Sequence, residues 1–208
     1  MNERMKKRRK LTRKERQLQI YLRVGFSLTA LLTFIILLCH GVFPFQKGHA
    51  VNLTEEVLKY RERVEYYCNE NDISDFSQIV LSIMQQESAG TVPDVMQASE
   101  SPFNTWYPNT PQSIPDPEYS IQVGVETFAY CLDEAGCKSP SDRDGLKLAL
   151  QNYNYGNSYA TWALDTYGGY SKENALEFSE TMKLRLGWSQ YGDPEYVEHV
   201  LRYYKYGY

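Results

Sequence analysis

The chain has 208 residues and a formal net charge of −4, which leaves room for one ordinary domain and an appendage. Its charge is strongly polarised: the first 50 residues hold eleven Lys/Arg and two Asp/Glu, a net of +9, whereas the remainder carries a net of −13. The two parts are therefore expected to work in different surroundings. The sequence contains no CxxC pair, histidine cluster, Walker loop or GxGxxG loop, so we expect no metal and no cofactor.

An uncharged run follows the basic N-terminus. No Lys, Arg, Asp or Glu occurs in residues 24–46, a run of 23 residues that includes ALLTFIILL. About 20 mostly apolar residues in a helix suffice to cross a bilayer, and a basic flank such as KKRRKLTRKER stays on the cytoplasmic side. We predict a cytoplasmic segment (1–23), a transmembrane signal anchor (24–46) and an extracellular domain (51–208). The basic residues then need no nucleic acid to explain them.

A cleaved secretory signal is the alternative to an anchor. No small-x-small cleavage site follows the apolar core, which argues against cleavage. Cys39 follows Leu38 rather than a small residue, so it is a poor lipid-attachment site. Outside this segment lie Cys68, Cys131 and Cys137. A turn at Gly136 would allow the last two to form a disulfide, and free thiols are equally compatible with the sequence.

Helical periodicity dominates the rest of the chain and predicts a mainly α domain. No alternating run is long enough for a central strand. A first helix is predicted with Asn52 as its cap, a second begins near Phe76 with Ser74 or Asp75 as cap, and Gly124 allows close backbone approach in a third. Start and stop signals give the remaining boundaries: Asp116-Pro117 to Gly136, Ser141 to Gly156, and breaks at Gly168-Gly169 and Gly192-Asp193-Pro194.

The second of these helices places a carboxylate on its apolar side. Its stripe consists of Phe76, Ile79, Val80, Ile83 and Met84. Glu87 is the next position on that stripe, close to the helix C-terminus. Burial and the helix dipole both favour the protonated carboxyl, the form that a general acid needs. The alternative is a Glu87 that is solvated at the helix rim or paired with an arginine.

Polar residues follow this helix and recur at the end of a later one. Asp94 opens a D-x-x-Q pattern that also fits the cap of a short helix. Asn152 and Asn154 are poor residues for a helix interior, which favours a ligand-facing role. The segment from Phe103 to Pro117, with Trp106 and Tyr107, is a surface loop long enough to be functional.

Four segments, QQESAG, PDVMQASES, YSIQVGV and ALQNYNYG, occur in order and give the chain a family resemblance. From Val51 onward it resembles the bacterial goose-type lysozyme-like family of the lysozyme superfamily, and it is similar to wall-degrading enzymes of Gram-positive conjugative elements. The resemblance implies a lysozyme-like helical fold. It also implies cleavage of the β-1,4 bond between N-acetylmuramic acid and N-acetylglucosamine in peptidoglycan, which opens the wall locally for a conjugation or secretion apparatus.

The resemblance also implies roles for individual residues. Glu87 falls at the general acid, and Asp94 at a second carboxylate that serves as base or electrostatic stabiliser. The segments that line the glycan groove contain Gln97, Ser99, Glu100, Tyr153 and Asn154.

The resemblance implies one limit on the activity, and two alternatives to a hydrolase stay open. More elaborate relatives carry a cysteine endopeptidase domain that this sequence does not reach, so we expect no peptide cleavage. A lytic transglycosylase, in which the C6 hydroxyl of muramic acid attacks, is an alternative to hydrolysis. A glycan-binding scaffold without catalysis is another alternative.

Overall fold

The computed structural model describes residues 13–39, 47–156 and 158–207. The predictions that concern residues 1–12 and 40–46 lie outside the described residues. The chain divides into two compact units, Met1–Gln46 and Lys47–Tyr208, each of which is described by itself.

The first unit is built on one long helix, α1 (Arg13–Cys39), of 27 residues. Its segment Arg13–Ile36 contains an 18-residue window with a mean hydropathy of 1.6 and is long and apolar enough by length and composition to cross a membrane. The predicted N-terminal apolar helix is thus confirmed. The helix is described from Arg13 onward, so the charged residues from Arg13 to Arg23 belong to the same helix as the apolar run.

The second unit is mainly helical, as predicted. Its helices are α2 (Glu55–Leu58), α3 (Arg61–Glu70), α4 (Ser77–Glu87), α5 (Pro117–Glu134), α6 (Arg143–Tyr155), α7 (Tyr159–Tyr167), α8 (Lys172–Leu186) and α9 (Tyr196–Leu201). A 3₁₀ turn, Ser74–Phe76, precedes α4. Two short strands, β1 (His49–Ala50) and β2 (Tyr204–Lys205), pair in antiparallel fashion with Ala50 opposite Tyr204. This pairing holds the two ends of the unit together.

Helix α4 is the centre of the unit. Every residue from Ile79 to Gln85 is buried, because α2, α3, α9 and β1 all pack against this helix. The buried polar residue Ser82 donates a hydrogen bond to the carbonyl of Tyr203 (3.0 Å), so its burial is compensated. The predicted apolar stripe is confirmed, and the packing around α4 brings its last residue, Glu87, to the site described below.

Two predicted caps before α4 are wrong. Asn52 has a left-handed backbone (φ 56°), and α2 is capped by Thr54, whose Oγ1 accepts from the Val57 N–H. Tertiary contacts fix the cap at Thr54, because its own N–H donates to Gln85 Oε1 (2.7 Å). Ser74 and Asp75 belong to the 3₁₀ turn and make no cap bond to α4.

The later boundaries agree with the sequence signals. Asp116 caps α5 through the Glu118 N–H, Asp142 caps α6 through the Gly145 N–H, and Gly156 ends α6 with φ 81°. Gly124 lies against Met96, where an added Cβ would stand 2.5 Å from the Met96 Cβ. Cys68, Cys131 and Cys137 are buried free thiols, which decides between the two alternatives left by the sequence.

Candidate functional site

Glu87, the last residue of α4, lies partly buried at the centre of the candidate site. Its Oε1 accepts a hydrogen bond from the hydroxyl of Tyr196 on α9. Burial raises the pKa of Glu87 from an ordinary value of 4.5 to about 7; the Tyr196 bond opposes this rise, and the negative charges of Asp94 and Asp193 add to it. The carboxyl is therefore substantially protonated near neutral pH, and its partner is a tyrosine rather than an arginine.

Two tyrosines, the buried Tyr196 and the partly buried Tyr153, flank Glu87. Tyr196 is 2% exposed, and burial together with the nearby Glu87 charge raises its pKa well above the usual range, so it remains a donor. The pKa of Tyr153 on α6 is also raised well above its ordinary value, mainly by burial. The Tyr153 hydroxyl donates to the Met96 carbonyl (2.9 Å). Tyr153 thus fixes the segment after α4, and its hydroxyl is already engaged.

Asp94 lies in a turn, which excludes the short helix that its sequence pattern suggested. The residue is 1% exposed. Its Oδ1 accepts from the Ala98 N–H (2.9 Å) and the Ser120 hydroxyl (2.7 Å), and its Oδ2 from the Ser99 N–H (3.1 Å) and hydroxyl (2.5 Å). These four donors satisfy both carboxylate oxygens. The structure therefore encloses Asp94 where its charge adds to the rise in the pKa of Glu87.

The remaining predicted site residues fall into two groups. Glu100 is exposed, and Gln97 and Asn154 are partly exposed. Ser99 is only 1% exposed, and its hydroxyl, which donates to Asp94, also accepts from the Ile114 N–H (3.1 Å). Ser99 supports the loop from inside, which corrects the expectation that it faces a ligand.

The segment between α8 and α9 contributes residues that the sequence identified only as a helix break. Asn154 Oδ1 accepts from the Asp193 N–H (2.7 Å), and Gln151 Nε2 donates to the Asp193 carbonyl (2.9 Å). The Asp193 carboxylate lies 2.5 Å from His199 Nδ1. These bonds attach the segment between α8 and α9 to α6. They place Asp193 where its negative charge helps to raise the pKa of Glu87.

Tyr196 was also missed by the sequence interpretation. The available signal was the spacing of Tyr196, Val197 and Val200, all buried, in EYVEHVL. That pattern indicates a helix facing the core, but it does not reveal which carboxylate the tyrosine meets. Within the described ranges, no group of three or more His, Cys, Asp or Glu side chains is placed to hold a metal ion. The chemistry that this arrangement offers is proton donation from Glu87 beside a fixed negative charge.

Comparisons with known proteins agree with this architecture. The Lysozyme-like family model matches residues 54–208. The crystal structure of a protein similar to lipoprotein, NLP/P60 family, from Staphylococcus aureus subsp. aureus Mu50 superposes with a TM-score of 0.61 at 30% identity, covering 74% of this chain and 54% of that one.

Two curated relatives come from Bacillus subtilis (strain 168). The bifunctional muramidase/DL-endopeptidase CwlT is 37% identical over 155 residues, 74% of this chain and 44% of that protein. The uncharacterized membrane protein YocA is 29% identical over 126 residues, 61% of this chain and 52% of that protein. This chain thus spans about half the length of these relatives. The predicted lysozyme-like fold is confirmed, and the chain belongs to the lysozyme-like family.

Proposed function

We propose that residues 51–208 form an N-acetylmuramidase that cleaves the β-1,4 bond between N-acetylmuramic acid and N-acetylglucosamine in peptidoglycan. Within the lysozyme-like family we assign the domain to the bacterial goose-type group. The observation that carries the proposal is the partly buried Glu87 at the end of α4, with its pKa raised to about 7. The muramidase named among its relatives supports the same substrate.

In this proposal, Glu87 donates its proton to the glycosidic oxygen as the bond to the sugar C1 breaks. Positive charge then develops on the sugar ring, in an oxocarbenium-like transition state. Water adds at C1 and returns a proton to the Glu87 carboxylate. Asp94 is held by four donors, and its negative charge favours both a protonated Glu87 and the developing cation. Asp94 therefore acts as an electrostatic stabiliser rather than as an accessible base.

The enclosure of Asp94 also supports a second candidate, a lytic transglycosylase. Both Asp94 oxygens are occupied by donors from its own loop and from α5, so neither is free to take a proton from water. The C6 hydroxyl of the muramic acid then attacks C1 in place of water and gives its proton to the Glu87 carboxylate left by the first step, and the product ends in a 1,6-anhydro sugar. Mass spectra of the released glycans separate the two reactions, since hydrolysis adds a water that transglycosylation does not.

We propose that the glycan runs past the exposed and partly exposed polar groups near Glu87. These are Gln97, Glu100 and Asn154, together with the partly buried Tyr153. Amide and carboxylate groups suit the hydroxyl and acetamido groups of the sugars. Ser99 is left out of this surface because its hydroxyl is engaged inside the loop.

The location of the enzyme is part of the proposal. We assign residues 1–23 to the cytoplasm and 24–46 to a single-pass anchor, with the catalytic domain outside, where it opens the wall for a conjugation or secretion apparatus. The apolar helix α1, its basic flank and the membrane protein among the relatives support this topology. The full-length protein should be in the membrane fraction and be digested by external protease. A mature product that starts between Gly41 and Val51 would contradict the anchor.

The proposed activity is tested with Glu87→Gln in the full-length protein, purified in detergent. The amide keeps the size of the side chain but has no proton to give, so release of glycan fragments from purified cell walls should fall about 10²–10⁴-fold. Glu70→Gln, an exposed position on α3, is the matched control and should retain wild-type release. If Glu87→Gln acts within about 2-fold of wild type, Glu87 is not the acid. If the wild type itself releases no fragments, the chain is better explained as a glycan-binding scaffold.

A further inference from the structure

The surface loop between Phe103 and Pro117 presents a flat aromatic side chain to solvent. Trp106 is 70% exposed, yet one face of its indole is covered by the ring of Tyr119. The two rings are parallel within 3°, and their centroids are 4.4 Å apart. Tyr119 itself is 4% exposed and belongs to α5. The result is an aromatic pair with one buried face and one open face.

This pair is held rigidly. The Tyr119 hydroxyl accepts from the backbone N–H of Thr105 (3.0 Å) and from that of Trp106 (3.2 Å). Asn104 accepts from the Tyr107 N–H (3.1 Å), and the Tyr107 ring packs edge-on against Tyr119. An exposed apolar ring whose backbone is fixed on both sides loses little conformational entropy when a ligand covers it.

Hydrogen bonds connect this aromatic pair to the candidate site. Asn104 Nδ2 donates to the Ser99 carbonyl (2.8 Å), and the Ser99 hydroxyl donates to Asp94. Ser120, the residue after Tyr119, also donates to Asp94 (2.7 Å). The aromatic pair and the Asp94 turn are therefore parts of one hydrogen-bonded unit, and a chain molecule bound at one is positioned relative to the other.

We propose that the open face of Trp106 stacks on a pyranose ring of the glycan strand, at a subsite beyond the sugars that flank Glu87. This inference rests on the proposed function. One face of a β-linked pyranose carries mainly C–H groups and matches a flat indole, and the polar hydroxyls at its rim stay in water. The proposed substrate is a polymer, which supplies further sugar rings on both sides of the cleaved bond.

Trp188 provides a matched control on the same unit. It is 57% exposed and follows the end of α8, but its only described ring partner is Tyr191, at 6.0 Å and a tilt of 33°. It therefore has similar size and exposure without the parallel support. The Trp188 backbone N–H donates to the Lys183 carbonyl (3.1 Å), and no hydrogen bond among the described residues joins Trp188 to the Asp94 turn.

The test measures binding of soluble glycans with alternating N-acetylglucosamine and N-acetylmuramic acid, of two, four and eight sugars. The full-length Glu87→Gln protein is used to stop turnover, and affinities are measured by calorimetry and by tryptophan fluorescence. We expect Trp106→Ala to weaken binding of the eight-sugar glycan about tenfold and to leave the two-sugar glycan unchanged. Trp106→Phe should lose less, and Trp188→Ala should bind all three glycans as the parent does.

Equal affinity of Trp106→Ala and its parent for the eight-sugar glycan overturns the subsite. So does an equal loss for all three lengths, because that result indicates a disturbed site rather than a distal contact. Failure of the proposed function looks different: the Glu87-containing protein then releases no fragments from cell walls. An unchanged melting temperature in Trp106→Ala shows that the variant is folded.

Discussion

The hydroxyl of Tyr196 donates a hydrogen bond to Glu87, a residue 109 positions earlier in the chain. The bond joins the end of α4 to the start of α9. It also acts against burial, since burial favours the neutral carboxyl and the donated bond favours the ionised one. The pKa of about 7 for Glu87 is therefore a balance that single substitutions should move in either direction.

Tyr196→Phe should shift this balance upward. The variant removes the donor and keeps the ring, so the pKa of Glu87 should rise above about 7. A general acid works while it is protonated, and the decline of activity on the alkaline side should move to higher pH. Rates of glycan release measured from pH 5 to 9 give this limb directly.

Tyr191→Phe is the matched control for Tyr196→Phe. The Tyr191 hydroxyl also donates inside the unit, to the Tyr155 carbonyl (2.7 Å), but it is not bonded to Glu87. Both variants should lose about 0.5–1.5 kcal/mol of stability, the usual net value of one hydrogen bond. Only Tyr196→Phe should move the alkaline limb, and superimposable pH profiles would show that Tyr196 merely supports the fold.

The raised pKa of Glu87 also predicts how stability depends on pH. A carboxyl with a raised folded-state pKa contributes stability that is fully present below its unfolded value of about 4.5 and is lost as the pH rises through about 7. Across that window the loss reaches about 3 kcal/mol. Gln cannot ionise, so Glu87→Gln should match the wild type near pH 4.5 and exceed it at pH 8. Urea unfolding at the two pH values measures the difference, and a difference that stays constant with pH contradicts the assignment.

Much of the fold follows from local sequence signals. Asp116 and Asp142 cap the two helices whose starts were predicted at Asp116-Pro117 and near Ser141, and each cap bond lies within three residues of its own helix start. The predicted cap at Asn52 is wrong because a hydrogen bond from Thr54 to Gln85, which is distant in sequence, decides where α2 begins. Local patterns could not contain that information.

The candidate site was also predictable only where local sequence patterns define it. Glu87 was identifiable because its position on an apolar helical stripe is a local property. Tyr196 and Asp193 reach it only through the packing of α9 and the preceding loop against α4 and α6. The family resemblance pointed to Asp94, but its enclosure by Ser99 and Ser120 depends on how its loop meets α5.

Gly124 should not tolerate a methyl group. In an open helix, Gly→Ala stabilises by about 1 kcal/mol, but here the new Cβ would lie 2.5 Å from the Met96 Cβ and 2.7 Å from its Cγ. We expect Gly124→Ala to destabilise by about 1–3 kcal/mol and to lower activity, because Met96 bonds Tyr153 and Ser120. Urea unfolding measures the effect, with Gln122→Ala on the same helix as control. A more stable Gly124→Ala would mean that α5 and Met96 are not in close contact.

Asp94→Asn tests whether Asp94 acts on Glu87 through its negative charge or only by holding its loop in place. Asn offers one acceptor oxygen where Asp94 uses two, and its amide N–H groups would face the backbone N–H of Ala98 or Ser99. The unsatisfied donor should cost about 1–3 kcal/mol and lower the melting temperature. Removing the negative charge should also lower the pKa of Glu87, so the alkaline limb of activity should move to lower pH, opposite to Tyr196→Phe.

Ser120→Ala is the control for loosening of the loop in Asp94→Asn. It removes one donor to Asp94 and the acceptor of the Met96 N–H, so it loosens the same loop but leaves the charge in place. Its melting temperature should fall while its alkaline limb stays at the wild-type pH. If Asp94→Asn shows the same profile as Ser120→Ala, the carboxylate acts only through the loop. A shift seen in Asp94→Asn alone supports an effect of its charge on Glu87, because both variants loosen the turn and only Asp94→Asn removes the charge.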